Sequence, residues 1–137
     1  MKIAKEFKWE MGHRLAFHAG KCKNLHGHSY TCMIELSGKP DKNGILLDYY
    51  DLKNIVEPLI DKMDHSFMVN ENDAELIEML DKLGSNKLVV PFESTAENIC
   101  LYLLDQLKKN SLPANIEGIK VRVLETENTY AEEECRL

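Results

Sequence analysis

Two stretches of the chain alternate strictly between apolar and polar positions. Phe7, Trp9, Met11 and His13 share one face of an extended segment, and Lys8, Glu10, Gly12 and Arg14 share the other. The period of two returns at His26: His28, Tyr30, Cys32, Ile34 and Leu36 stay in phase with it, against Gly27, Ser29, Thr31, Met33 and Glu35. Both read as half-buried strands. Gly38-Lys39-Pro40 closes the second, and Asn43-Gly44 marks a turn. Near the C-terminus Ile119, Val121, Val123 and Glu125 alternate with Lys120, Arg122 and Leu124 as a third strong strand. A turn at Glu127-Asn128 then leads into a weaker one, Tyr130 to Arg136.

Between these strands the period becomes helical. Asp48, with Asp51 three positions on, forms an acidic variant of the capping box ahead of Leu52, Ile55, Val56, Leu59 and Met63. Pro58 lies inside that pattern, where it removes one backbone donor and predicts a kink. A short amphipathic piece from Asp73 to Leu83 carries Leu76, Ile77, Leu80 and Leu83, with Gly84 as its stop, and Lys87 to Phe92 reads as briefly extended. Ser94 and Glu97 make a capping box before Ile99, Cys100, Leu103, Leu104 and Leu107, a helix ended by Asn110 and Pro113. The predicted order is two strands, helices, two strands. That is one α+β domain over residues 1–137, with its helices on one face of an antiparallel sheet.

Composition narrows the class without choosing a function. A chain of 137 residues, 44% apolar and 29% charged, can bury a core without metal or disulfide staples. No stretch reaches the apolar length of a membrane span, and the N-terminus lacks a signal-peptide core, so the expected location is the cytoplasm. A net charge of −6 argues against nucleic-acid binding. It leaves room for a small anion met by local cations, and Arg14, His18, Lys21 and Lys23 are the candidates near Cys22. The four cysteines read as free thiols. Cys32 and Cys100 fall in core phase and Cys135 at the tail, which leaves Cys22 without a packing role.

His26-Gly27-His28 is the sharpest local feature. Residues two apart on a strand point the same way, so two imidazoles can converge on one ion. A lone His-x-His is more often a pair of solvated or hydrogen-bonded rings. Here both lie in phase with an apolar face, where charged imidazoles would be costly and a metal would take up their lone pairs. His13 has the same phase in the first strand. Three histidines with an open position is the composition of a catalytic zinc site, whereas Cys22 as a fourth ligand would make a closed, structural one. Glu125 continues an inward face, either as a solvated strand end or as an acceptor for paired ligand donors. Asp64-His65 at a helix end is, on its own, a solvated carboxylate beside a helix-terminal cation. Asp48 is explained as a cap.

Six motifs occur in a familiar order: Gly12-His13-Arg14-Leu15; Cys22 through Tyr30; Asp48 followed by Leu52-Lys53; Met63-Asp64-His65; Ser94-Thr95-Ala96-Glu97-Asn98; and Glu125-Thr126. Over essentially its whole length the chain resembles the 6-pyruvoyltetrahydropterin synthase family, most closely its bacterial 6-carboxytetrahydropterin synthase branch, which serves queuosine biosynthesis. The three residues between Cys22 and His26 fit that branch, and Cys22 stands where the folate-type branch usually has Glu. The resemblance implies that His13, His26 and His28 bind Zn2+ and that Cys22 transfers protons together with Asp64 and His65. It further implies that Glu125 anchors the pterin, and it suggests Thr95 as a second contact. The implied substrate is 7,8-dihydroneopterin triphosphate and the implied reaction a carbon–carbon lysis, with pyruvoyl-forming chemistry or a non-catalytic zinc module as alternatives. The implied fold is the tunnelling fold, a four-stranded antiparallel sheet with two long helices on one face (ββααββ) and an insertion between them. Homo-oligomers, trimers pairing as hexamers, complete the picture. Two departures stand out: Val69 to Phe92 is longer than in short bacterial members, and Ser94 replaces a frequent proline.

Overall fold

A computed structural model describes residues 1–137. In chain order the elements are β1 (Lys2–His13), a 3-10 turn (Lys21–Lys23), β2 (His26–Gly38), α1 (Tyr49–Met63), β3 (Ser66–Asn70), α2 (Ala74–Leu83), β4 (Lys87–Val90), α3 (Ala96–Lys108), β5 (Ile116–Thr126) and β6 (Thr129–Arg136). The six strands form one sheet in the order β4-β3-β1-β2-β5-β6.

Strict alternation builds the antiparallel part. β1 and β2 pair along their whole length, from Lys2 opposite Ser37 to His13 opposite His26. β2 pairs with β5 and β5 with β6, also antiparallel. The inward residues Trp9, Met11, Tyr30, Cys32, Ile34, Leu36, Ile119, Val121 and Val123 are all buried, each being 3% exposed or less. They pack on the apolar stripes of α1 (Leu52, Val56, Met63) and α3 (Ile99, Leu103, Leu107) in a single cluster of 23 buried residues. Full burial of each such aliphatic side chain contributes roughly 1.5–3 kcal/mol, set against the entropy of ordering it.

The expected four-stranded ββααββ sheet with two helices on one face is not what forms. The sheet has six strands and the chain has three α-helices, because the segment between the two long helices joins the sheet. β3 pairs parallel with β1, and β4 pairs parallel with β3. Parallel neighbours need a crossover, and α2 supplies the one between β3 and β4, while β2 and α1 lie between β1 and β3. Met68 and Val69, adjacent in sequence and each 1% exposed, join different clusters: Met68 the main core, Val69 a small one with Leu76 and Leu80. Adjacent strand residues point to opposite faces, so α2 covers the face opposite α1 and α3. A strand buried on both sides shows no alternation, which is why its period is absent from the sequence.

The caps follow local chemistry. Asp48 accepts the Tyr50 N–H at 2.7 Å, and α1 runs unbroken through Pro58. Asp73 caps α2, and Gly84 ends it at φ +64, a left-handed conformation that glycine adopts without steric cost. The cap of α3 is Thr95, which accepts the Asn98 N–H at 3.3 Å. Ser94, expected in that role, is 1% exposed and turned to the site. No helix is long and apolar enough to cross a membrane.

Candidate metal centre and its cavity

The register of the β1–β2 hairpin sets the site. His13 lies opposite His26 and Met11 opposite His28, so three in-phase rings meet at one end of the sheet. One ligand nitrogen from each of His13, His26 and His28 lies within 4.8 Å of the other two, and this triad can coordinate a metal ion. Nδ1 of His13 is 2.8 Å from the Ser94 carbonyl oxygen and 3.2 Å from Ser94 Oγ; Nδ1 of His26 is 2.7 Å from the Asn24 carbonyl oxygen. A carbonyl only accepts, so both rings carry their hydrogen on Nδ1 and present a lone pair at Nε2. This is the support that metal-binding histidines receive elsewhere.

Nε2 of His13 is buried with no hydrogen-bond partner. Its 3.4 Å approach to Glu125 Oε1 does not satisfy it, because the ring proton is already on the other nitrogen. An orphaned acceptor among two further imidazoles and a carboxylate is the environment a cation fills. Burial holds the His13 imidazolium below its ordinary range; the Ser94 carbonyl and Glu125 oppose that, and His26 and His28 reinforce it. His28 is lowered chiefly by burial, with Glu125 opposing and His26 adding to the effect. Both rings are thereby kept in the neutral form that metals bind.

Glu125 extends the inward row of β5 to the edge of the triad. Its Oε1 lies 3.7 Å from His28 Nε2 and accepts the Tyr30 hydroxyl at 3.1 Å. Burial, and then the Glu125 charge, raises the Tyr30 phenol far above its usual range, so it stays protonated and donates. A cavity of about 270 Å³ opens beside this carboxylate, lined among others by His18, Cys22, Thr95, Glu97 and Glu125. Cys22, on the 3-10 turn, is not part of the three-ring cluster. Of the basic residues near it, Arg14 is committed elsewhere: its Nε and Nη2 meet the two Asp73 oxygens at 2.7 and 2.6 Å.

Asp64 and His65 stand apart from that cavity. Asp64 Oδ1 accepts the Glu10 N–H at 2.9 Å, and Oδ2 lies 2.9 Å from His65 Nδ1. The Glu10 amide above all, then His65, holds the Asp64 carboxyl below its usual range. His65 adopts φ +54, an uncommon conformation for a residue with a Cβ, and lines a second, shallow cavity of about 320 Å³ with Glu10, Gly12, Gly27, His28 and Ser29. The structure thus brings Cys22, Thr95 and Glu125 together beside the triad and places His65, with Asp64 bonded to it, outside that cavity, in a hollow that the triad residue His28 also lines. Asn24, Ser94 and Tyr30 support the site without having been singled out for it. Tyr30 sits in the apolar phase of β2, and only its hydroxyl hints at a polar partner.

A family model described as 6-pyruvoyl tetrahydropterin synthase matches residues 2–135. The chain belongs to that family. Among its relatives, the 6-carboxy-5,6,7,8-tetrahydropterin synthase of Haemophilus influenzae is 39% identical over 139 residues, covering 96% of each chain. The enzyme of the same name from Aquifex aeolicus is 34% identical over 155 residues, again covering 96% of each. The fold is that of the 6-pyruvoyl tetrahydropterin synthase of Plasmodium vivax, with a TM-score of 0.79 at 21% identity, spanning 100% of this chain and 98% of that one. The Caenorhabditis elegans enzyme gives 0.73 at 24% identity, covering 98% and 95%. This family member therefore carries its histidine triad on the long β1–β2 hairpin, beside a cavity that holds a thiol and two carboxylates.

Proposed function

We propose that this chain converts 7,8-dihydroneopterin triphosphate and water to 6-carboxy-5,6,7,8-tetrahydropterin, acetaldehyde and triphosphate, as a Zn2+-dependent lyase of queuosine biosynthesis in the cytoplasm. The observation that carries this reading is the shared cavity of Cys22 and Glu125 at the edge of three convergent imidazoles. Likeness to relatives bearing the carboxy-synthase name favours that product over the pyruvoyl one.

Zinc held by His13, His26 and His28 would supply Lewis acidity toward the substrate's side-chain oxygens. Cys22 takes the proton from the side-chain carbon, and the pterin ring accepts the electrons. Glu125 and Thr95 hold the ring so that its side chain falls between thiol and metal. Asp64 fixes the tautomer of His65, which exchanges protons with Cys22. Within one chain His65 and Cys22 line different cavities, which supports a relay that draws Asp64 and His65 from another copy, in trimers that pair as hexamers.

Incubation of the metal-loaded protein with 7,8-dihydroneopterin triphosphate, with mass analysis of the products, tests the function. Carboxy product and trapped acetaldehyde are expected; a pyruvoyl product without acetaldehyde would overturn the assignment. Cys22→Ala is expected to keep its metal and lose turnover, whereas loss of metal would make Cys22 a ligand and the site structural. Mixing Cys22→Ala with His65→Ala should restore activity after subunit exchange, because some mixed sites then carry both groups.

A further inference from the structure

The carboxylate of Glu125 stands closer to the rings than a pterin anchor requires. A tetrahedral metal with bonds of about 2.0–2.1 Å holds any two of its ligand atoms about 3.3–3.4 Å apart. Glu125 Oε1 lies 3.4 Å from Nε2 of His13 and 3.7 Å from Nε2 of His28. Between the first pair there is no proton from the ring, since the Ser94 carbonyl holds it on Nδ1. Two facing acceptors at that separation repel unless a cation joins them.

A second contact keeps the oxygen where it is. Tyr30 is 0% exposed, and its hydroxyl donates to Oε1. Turning Oε1 away would leave a buried phenol donor without a partner, which burial penalises. Oε1 is therefore held toward the rings, while the side chain as a whole, 26% exposed, remains within reach of a ligand in the cavity.

We propose that Glu125 Oε1 is the fourth metal ligand in the substrate-free protein, and that a side-chain oxygen of the substrate displaces it. The inference rests on the metal reading above. It adds a function to Glu125: the carboxylate closes the metal shell when the cavity is empty, and accepts from the pterin ring when it is full. Water is then excluded from the metal until a ligand able to compete with a carboxylate arrives.

The test compares substrate-free wild type with Glu125→Ala, each loaded with Zn2+ or Co2+. Three histidines remain in the variant, so it still binds metal. Its dissociation constant by chelator competition should rise by at least the roughly 10–100-fold that loss of a mere supporting partner costs. The visible spectrum of the Co2+ form should shift, and carboxylate scattering should disappear from the zinc absorption edge. In wild type, oxidised neopterin, whose side-chain hydroxyls are intact, should produce a similar loss. A metal-loaded Glu125→Ala with wild-type affinity and an unchanged cobalt spectrum would overturn the proposal alone. A wild type that takes up no metal would overturn it together with the metal reading.

Discussion

The two halves of the sheet obey different rules. In the antiparallel half, β1, β2 and β5 bury one face, so every second residue points inward and the candidate site residues sit in the same phase as the core. His13 follows Trp9 and Met11, His28 precedes Tyr30, and Glu125 follows Val123. In the parallel half, β3 and β4 have five and four residues, and β3 is covered on both faces. Its contribution to a site is not a phase but a junction: Asp64 and His65 stand where α1 turns into β3. The antiparallel half sets a site by register, and the parallel half positions a pair of residues by a connection.

The strongest way to break this comparison is to damage the register-built site and watch the other half. His26→Ala or His28→Ala is expected to lose bound metal altogether, and activity with it. The main core does not include these rings, so the fold should persist, unlike that of a zinc finger. Metal analysis beside hydrogen exchange over Ser66–Val90 checks both claims. Stoichiometric metal in both variants would refute the triad, and collapse of the β3–α2–β4 unit would refute the independence of the two halves.

Arg14 ties the halves together and gives a smaller effect. Its paired bonds to Asp73 join the end of β1 to the cap of α2. Arg14→Ala should cost about 1.5–3 kcal/mol, the range for hydrogen bonds between charged groups, read as faster exchange of the α2 amides. The pair also fixes a pH dependence. Arg14 holds the Asp73 carboxyl below its ordinary value of about 3.9. The unfolded chain then binds more protons in that window, so the contribution is complete above roughly pH 5 and drains away as pH falls through the folded pKa. In Arg14→Ala that part of the acid destabilisation should flatten. An unchanged acid profile would show that the Asp73 N-cap bond alone sets it.

What could be read from the residues follows the same division. The antiparallel strands, the caps at Asp48 and Gly84 and the phase of all three histidines were legible because each depends on neighbours within a few positions. β3 was not, since Ser66–Asn70 is short and covered twice, and its parallel partner lies beyond a helix. Nor could spacing show that Arg14 would be taken by Asp73, 59 positions away, and so withdrawn from any anion. The separation of His65 from Cys22 is likewise a matter of which hollow each residue faces. No periodicity encodes that.

Ser94 tests the smallest step, since it is the position where a local rule and a distant contact compete. By spacing it caps a helix with Glu97; in the fold Thr95 takes that role and Ser94 turns to His13. Its carbonyl is the nearer partner of Nδ1, at 2.8 Å, and its hydroxyl the farther, at 3.2 Å. Ser94→Ala removes only the second. The carbonyl keeps the proton on Nδ1 and the lone pair on Nε2, so metal should stay bound, with a loss of about 0.5–1.5 kcal/mol and a dissociation constant raised about tenfold at most. Helix α3 should keep its stability, because its cap is untouched, whereas Thr95→Ala should cost it about 1 kcal/mol. If Ser94→Ala instead sheds metal as His26→Ala should, the hydroxyl and not the backbone orients His13. Any residue at this position supplies the carbonyl, so the modest outcome is the one the backbone contact favours.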